Sequence, residues 1–359
     1  MKLEILTPVY IGSGQEITKK EYVYYRNTQQ VWIPNKQRMF GDIIQRKLAD
    51  AFEAYMLNGT EPLLNWMKSQ GYTDKEIQRL CDYCLDCSQS LENLNRPVAI
   101  QEFMKDAYGM PYIPGSSLKG AIRTALLSNR ILNNRKKYSS IEQSAIKSEE
   151  MWNGKPNKKY LVTEGRKVEE VAFHTLNKEE KISDAKNDEL KGISISDSLP
   201  LSLDNLVLCQ KIDVNLERTK NSLNILRESL KPGTVVEFEL TIDTTVIDMD
   251  EKEILQALDK TWEFYQNAYV RKFVNMPNKE KGNLYLGGGC GFGTKTVIYP
   301  LLGERERVQV VSKLMHLKFK KHGHRGDVRR GVSPHMLKCT NYGGKLCEMG
   351  KCKLEIVKN

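Results

Sequence analysis

The sequence has 359 residues, of which 40% are hydrophobic and 28% are charged, as is typical of a folded chain of two or three domains. It carries 55 Lys and Arg against 45 Asp and Glu, a formal net charge of +10 that favours a polyanionic partner. No apolar run approaches the roughly 20 residues that cross a bilayer. The acidic start of the chain is also unlike a signal peptide, so we exclude a membrane-spanning protein and expect a cytoplasmic one.

The first third of the chain combines short strand patterns with one long helical pattern. The pattern over residues 3–12 predicts a strand that leads into a Gly-Ser-Gly turn at 12–14. Aromatic and β-branched runs within 22–33 flank a polar turn, which predicts a hairpin. From Phe40 onward the apolar residues follow a period of three to four, so we expect a helical insertion over about 40–95.

Later segments add a polar insertion, further strands and a strong helix. Residues 133–185 are rich in Lys, Glu and Asn, which predicts a second insertion. Strand patterns follow at 193–198, 206–212 and 234–242, and helical spacing follows at 250–273. Interleaved strands, hairpins and helices predict an α+β fold with ferredoxin-like units, divided at the turn before Thr234 into 1–231 and 232–359.

The eight cysteines fall into two loose groups and two single positions. One group is Cys81, Cys84 and Cys87; the other is Cys339, Cys347 and Cys352, with His335 near them. Neither group has the paired spacing of a structural zinc site, so we expect reduced, partly buried thiols and no metal. No cofactor is expected.

The positive charge is concentrated at the end of the chain. Residues 271–359 hold 19 Lys and Arg against six Asp and Glu, whereas residues 1–270 carry a net charge of −3. The densest part runs from Lys318 to Arg330. A solvated basic face is one interpretation. We favour a phosphate-binding surface, with His322 and His324 also facing phosphate, because contacts to phosphates release counterions.

The first of two motifs is PYIPGSSLKGAIRTAL at residues 111–126. Ser116 or Ser117 is expected to cap a helix, and Lys119 and Arg123, four residues apart, then project from one face of it. A capped helix N-terminus with a basic pair one turn in is a natural phosphate site. An ordinary capped helix with two solvated cations is the equally weighted alternative.

The second motif is LYLGGGCGFGTKT at residues 284–296, which has five glycines within seven positions. It is not a P-loop, because Thr294 stands between the last glycine and Lys295, and it lacks the dinucleotide-binding spacing. ATP and NAD are therefore not expected. A backbone cradle for an oligonucleotide fits better, with Phe292 stacking on a base and Lys295 meeting phosphate. A tight structural glycine turn is the alternative.

The two motifs resemble hallmarks of the RAMP superfamily of CRISPR systems. Residues 112–123 are similar to the superfamily's hallmark segment, and residues 287–293 are similar to its C-terminal glycine-rich loop. Further matching pieces lie at 7–14, 194–198, 332–338 and 342–344, so the resemblance covers the whole chain. Within the superfamily it points to a subunit of the type III-A (Csm) effector complexes.

The resemblance implies two modified ferredoxin-like (RRM-like) RAMP domains, the first with both insertions and the second with the glycine-rich loop and the basic tail region. It implies a non-catalytic subunit that caps the backbone filament at the 3′ end of the CRISPR RNA (crRNA). It also implies support of crRNA maturation and complex assembly in antiviral defence. The partners would be crRNA and target RNA, Csm-type backbone RAMP subunits, small helical subunits and host nucleases that trim crRNA.

The RNA-binding residues follow from the matching positions and from the basic run. They are Gly12, Ser13, Ser116, Ser117, Lys119, Arg123, Gly287, Gly288, Gly289, Gly291, Phe292, Gly293, Lys295, Lys320, Lys321 and Arg325.

Two further readings of the sequence concern activity. Target-cleaving backbone subunits of these complexes use an aspartate early in the chain, and residues 14–40 contain none, so that activity is not transferred. The rival interpretation is a metal-independent endoribonuclease that draws its acid and base from His316, His322 and His324. A protein-binding adaptor that uses 40–95 is a third interpretation, compatible with the first.

Overall fold

The computed structural model describes residues 1–87, 91, 98–152, 155–157, 159–217, 219–273 and 280–357. Its strands are β1 (Lys2–Ile5), β2 (Gly12–Ile17), β3 (Val23–Tyr25), β4 (Gln30–Pro34), β5 (Cys81–Asp86), β6 (Ile100–Phe103), β7 (Met151–Trp152), β8 (Lys155–Pro156), β9 (Ile193–Ile195), β10 (Leu206–Val214), β11 (Lys220–Leu230), β12 (Val235–Glu237), β13 (Leu240–Ile242), β14 (Leu284–Tyr285), β15 (Leu337–Tyr342), β16 (Lys345–Glu348) and β17 (Lys351–Glu355).

The α-helices are α1 (Lys36–Gln45), α2 (Ala49–Asn58), α3 (Leu63–Ser69), α4 (Asp74–Arg79), α5 (Gly115–Asn133), α6 (Ser139–Lys147), α7 (Val162–Phe173), α8 (Glu251–Ala268), α9 (Ile298–Leu301), α10 (Glu304–Lys318) and α11 (Asp327–Arg330). Short 3₁₀ turns connect several of them. In the described part of the chain, no helix is both long enough and apolar enough to cross a lipid bilayer.

Two larger sheets organise the molecule. One has the order β12-β1-β17-β14, so the first strand of the chain lies between strands from the second half. The other has the order β2-β6-β11-β10-β5-β4-β3. In the same sheet, β15 pairs with the last residues of β10, and β16 pairs with β15. Two further pairs are β13-β9 and β7-β8. Both larger sheets draw strands from either side of residue 232, and the division into domains there stays a prediction.

Helical spacing and pairing patterns account for most of these elements. The predicted hairpin is confirmed, because Val23 pairs with Trp32 and Tyr25 with Gln30. The predicted helix at 250–273 is confirmed over Glu251–Ala268, and Asp250 and Glu253 form a capping box at its start. This helix, α8, packs on α5, where Thr261 donates a hydrogen bond to the Ala125 carbonyl at 3.1 Å.

The helical character predicted for 40–95 is confirmed only in part, and the status of this segment as an insertion stays a prediction. Four helices fill Lys36–Arg79 and bury their own small core around Phe52, Tyr55 and Trp66. The helix prediction is wrong over Cys81–Asp86, which is a strand that pairs with β4. The three-residue spacing of the cysteines indicated a helix there, but the segment instead forms backbone hydrogen bonds with β4. Most of the predicted remainder, 88–90 and 92–95, lies outside the described residues.

The prediction of one long strand over 234–242 is also wrong. Its residues form two strands of three residues each, β12 beside β1 and β13 beside β9. The chain changes sheets at Phe238, whose backbone N–H donates to the Met1 carbonyl at 3.0 Å. The alternating pattern therefore spans two strands in different sheets, because alternation alone does not reveal where pairing stops.

Candidate nucleic-acid interface

The start of α5 carries the first motif. The Gly115 N–H donates to Asp197 Oδ1 at 2.8 Å, and the Ile113 N–H donates to Ser198 Oγ at 3.0 Å. The prediction that Ser116 or Ser117 caps the helix is wrong, since both lie inside its first turn and Pro114 holds the capping position without a side-chain bond. A carboxylate from another segment satisfies the free N–H instead.

The basic pair of this motif is engaged inside the protein. Lys119 Nζ donates to the Ile193 carbonyl at 2.6 Å. Arg123 donates to Asp188 at 2.7 Å and to Glu169 at 2.8 Å, and its guanidinium lies 4.7 Å from the Phe173 ring centroid. Their predicted contact with RNA stays a prediction, and their observed contacts fasten α5 to the segments around it.

The glycine-rich loop lies against the N-terminal segment. The Gly288 N–H donates to the Tyr10 carbonyl at 2.6 Å, and the Leu286 N–H donates to the Gly350 carbonyl at 2.8 Å. The loop needs glycine because Gly287, Gly289 and Gly291 have φ of +85°, +88° and +92°. These contacts also bring the predicted Gly12 and Ser13 close to the loop, since both follow Tyr10 within three residues.

A glycine exchange tests how tightly the loop is held. A Cβ on Gly287 would overlap the Tyr10 carbonyl oxygen, and its φ of +85° disfavours alanine. We expect Gly287→Ala to lower the free energy of unfolding by about 2 kcal/mol or more. The control is Gly120→Ala in α5, where a Cβ would meet nothing within 4 Å. That variant is expected to gain about 0.5–1 kcal/mol. Urea unfolding of both variants measures the difference, and equal stabilities would contradict the observed packing.

Sequence reasoning missed two cations that lie against the same loop, Arg227 and Lys338, and a third beside them, Lys211. Arg227 donates to Gln101 Oε1 at 2.9 Å, and its NH1 atom lies 2.7 Å from the place where a Cβ on Gly289 would stand. Lys338 and Lys211 share one carboxylate, Asp213, at 2.8 and 4.0 Å. The only sign of these cations in the sequence was that Lys211 and Arg227 are charged residues inside runs that otherwise have a strand pattern.

The charges beneath the loop are not balanced. Burial lowers the pKa of Lys211; Asp213 opposes this shift, and repulsion from Lys338 and Arg227 adds to it. Burial likewise lowers the pKa of Arg227. Since these three cations face one nearby carboxylate, an anion at this place would be favoured electrostatically. We refer to Lys211, Arg227 and Lys338 as the sub-loop cations.

The Phe292 end of the loop borders a cleft of about 540 Å³. Phe292 and Lys295 line it together with Arg123, so the structure brings residues of the two motifs to one place. Lys318 and Tyr160 also line the cleft. Lys295 and Lys318 are exposed, and Phe292 is half-buried. The cleft therefore joins exposed cations with aromatic rings, the combination that binds single-stranded nucleic acid.

The basic run continues from this cleft along the surface. Lys320, Lys321 and Arg325 lie in two 3₁₀ turns and are exposed. Within the described residues their side chains have no ion pair with a carboxylate. We refer to these three residues as the basic turn. Its cations are free for a partner, in contrast to Lys119 and Arg123.

The histidines of this run differ in burial, although the His322 and His324 rings lie 6.3 Å apart. His322 is exposed, whereas His324 is buried and its Nδ1 atom lies 2.9 Å from Asp327 Oδ2. The prediction that both face phosphate is therefore wrong for His324. Burial lowers the pKa of His324, although its hydrogen bond to Asp327 opposes the shift. The third histidine of the rival interpretation, His316, is half-buried on α10.

The cysteines are free thiols, and in the part of the chain that the structure describes none belongs to a group of three metal-ligand side chains. Cys81 and Cys84 lie three positions apart on a strand, so their side chains point to opposite faces. Burial raises the pKa of the Cys81 thiol to about 12. Burial thus favours the protonated thiol, and the expectation that the cysteines bind no metal stays a prediction.

The comparisons with known proteins identify the class. A sequence model of the RAMP superfamily matches residues 2–293, so the chain belongs to the RAMP superfamily. A solved structure of Csm5 from T. onnurineus aligns with a TM-score of 0.61 at 17% identity, over 98% of this chain and 100% of that one. The predicted α+β RAMP fold is confirmed.

Three further matches concern the branch of the superfamily. The CRISPR system protein Csm5 of Mycobacterium tuberculosis is 27% identical, over 99% of this chain and 96% of its own length. The Csm5 of Streptococcus thermophilus is 26% identical, over 82% and 79%. A chain in a cryo-EM structure of a Csm-crRNA-target RNA ternary complex of a type III-A system aligns with a TM-score of 0.64 at 20% identity, over 99% of both chains.

Proposed function

We propose that this chain is the Csm5-type subunit of a type III-A CRISPR effector complex and that it binds RNA without catalysing a reaction. It caps the backbone filament at the 3′ end of the crRNA and supports crRNA maturation and complex assembly in antiviral defence. Its partners are crRNA, target RNA, the backbone RAMP subunits, the small helical subunits and host nucleases that trim crRNA. The relatives named Csm5 and the ternary complex support this assignment.

One observation carries the proposal: the glycine-rich loop lies next to two sets of cations. Arg227 and Lys338 approach Gly289 and Gly291, and Lys295 and Lys318 line the cleft at Phe292. Because glycines carry no side chain, a phosphate can approach the backbone of the loop closely. Phosphate groups held by both sets of cations would fix the path of a single strand along the loop, whatever its sequence.

Recognition then rests on shape and backbone rather than on base identity. Cations and loop amides hold phosphates, and Phe292 offers a face on which a base stacks. The sequence of the target is read by base pairing with the guide. The subunit therefore needs no side chain that reads base edges, and none is assigned that role.

The arrangement of the histidines favours binding over cleavage. General acid–base cleavage of RNA needs two proton-transfer groups that both reach the 2′-OH and the leaving oxygen. His324 is buried and its Nδ1 atom faces Asp327, whereas His322 is exposed. The histidines that the endoribonuclease interpretation requires are thus divided between the interior and the surface.

Replacing Phe292 tests this interface. We expect Phe292→Ala to weaken the binding of a single-stranded guide-like RNA about fivefold or more, because stacking of one base contributes about 1–3 kcal/mol. The control is Phe40→Ala in α1, where an aromatic ring that is 52% exposed lies in the helical insertion. Fluorescence anisotropy at fixed salt measures both. Equal losses in the two variants would contradict the cleft as the RNA site.

A further inference from the structure

The segment that follows the basic turn folds around three buried polar side chains. His324, Asp327 and His335 are only 6%, 0% and 7% exposed. The Nδ1 atoms of the two histidines lie 2.9 and 2.5 Å from opposite oxygens of Asp327. One potential ligand atom from each of the three residues lies within 4.8 Å of the other two. Two imidazoles and a carboxylate therefore converge on one point inside the protein.

These side chains match the ligand preference of zinc. Imidazole nitrogen and carboxylate oxygen bind Zn²⁺ at about 2.0–2.2 Å, which places neighbouring ligand atoms of a tetrahedral site about 3.3 Å apart. The two nitrogen–oxygen pairs of the cluster, at 2.9 and 2.5 Å, need to open by less than about 1 Å to admit the ion. The burial of all three residues means that folding has already ordered them.

We propose that His324, Asp327 and His335 form a structural zinc site. Each neutral imidazole would bind through Nδ1 and carry its ring proton on Nε2, and Asp327 would bind as the carboxylate. The fourth position belongs to a water molecule or to the hydroxyl of Ser333, which lies 2.7 Å from Asp327 Oδ2. Arg330, whose side chain is 44% exposed, can turn from Asp327 towards solvent when the ion adds positive charge.

The position of the cluster indicates what the metal would do. The backbone carbonyl of His324 accepts a hydrogen bond from Ser312 on α10 at 2.7 Å, and His335 stands two residues before β15. An ion held by these three residues would fasten the basic turn to α10 and to the sheet. It would fix the direction in which Lys320, Lys321 and Arg325 project.

Metal analysis of the whole chain tests the proposal. The purified chain, freed of any affinity tag, is dialysed against EDTA and then titrated with Zn²⁺ or Co²⁺. We expect one ion per chain in the wild type, a Co²⁺ spectrum of a tetrahedral site without thiolate charge-transfer bands, and a higher melting temperature with Zn²⁺. Asp327→Asn should abolish binding. The control is His322→Ala, which removes an exposed imidazole 6.3 Å from the His324 ring and should leave one ion bound.

Three results would overturn the zinc site. They are a wild type that retains no ion at micromolar Zn²⁺, a Co²⁺ spectrum with thiolate bands, and an Asp327→Asn variant that still binds one ion. If Asp327→Asn does not fold, the stoichiometry and the Co²⁺ spectrum of the wild type decide the question. Neither readout depends on RNA binding, so the outcome is independent of the proposed function.

Discussion

Removing the three charges of the basic turn is expected to weaken RNA binding about 50-fold at 0.15 M salt, if each cation neutralises one phosphate of a single strand. The variant is Lys320→Ala/Lys321→Ala/Arg325→Ala. These side chains are exposed and, within the described residues, have no carboxylate partner, so the fold does not depend on their charge. Each contact contributes about 0.7 to the slope of log affinity against log salt, so the slope should shrink by about two.

The matched control replaces three exposed lysines far from the basic turn in sequence. They are Lys75, Lys178 and Lys252. The two triple variants lose the same total charge. Any difference between their RNA affinities therefore reports the position of the charges and not their number. Binding of labelled guide-like RNA across a salt series measures both. An equal loss in affinity and slope would mean that net charge alone attracts the RNA, and the basic turn would then have no special role.

The largest effect on stability is expected from Glu228→Ala. Glu228 on β11 is 0% exposed and accepts hydrogen bonds from the Tyr83 hydroxyl at 2.5 Å and from the Phe103 N–H at 2.9 Å. It also accepts from Lys105 Nζ at 2.8 Å. Its removal leaves the half-buried Lys105 ammonium and two donors without this partner, which costs about 3 kcal/mol or more. The midpoint of urea unfolding should fall accordingly.

Glu102→Ala provides the control, because Glu102 contacts the same ammonium. Lys105 Nζ lies 2.9 Å from Glu102 Oε1, but the Glu102 side chain is 29% exposed and water can replace it. We expect a loss of under about 1 kcal/mol. A Glu102→Ala variant as unstable as Glu228→Ala would show that the ion pair itself, rather than the burial of Glu228, stabilises this part of the sheet.

Glu228 also connects stability to the interface. It is the neighbour of Arg227 on β11, so the two side chains point to opposite faces of the strand. The contacts of Glu228 fix the strand against β5 and β6, and Arg227 on the other face reaches the glycine-rich loop. A variant that loosens β11 should therefore also weaken RNA binding, although Glu228 lies too deep to touch RNA.

The sequence predicted the elements whose signals are local. The 3–4 spacing of α8 is contained in a few consecutive residues, and so is the apolar run of β10. The cluster of glycines likewise allows positive φ angles, and the loop has them at Gly287, Gly289 and Gly291. The order of the motifs along the chain indicated the RAMP superfamily, and the superfamily in turn indicated the fold.

Features built from distant segments could not be predicted in this way. Asp197 rather than a serine caps α5, since the strand pairing of β9 brings that carboxylate to the helix. The sub-loop cations come from β10, β11 and β15, and only the sheet registers place them together. The spacing of Cys81, Cys84 and Cys87 suggested a helix. It could not show that this segment pairs with β4 as a strand, because β4 lies about 50 residues earlier in the chain.

The central claim is that this chain binds RNA and leaves it intact. The most direct measurement incubates the purified full-length chain with labelled single-stranded guide-like RNA across a salt series. Each sample is then run on a denaturing gel, with and without EDTA. We predict binding that weakens as salt rises, with RNA of unchanged length in every lane. Cleavage that persists in EDTA and disappears in His322→Ala would contradict the claim and establish the endoribonuclease instead.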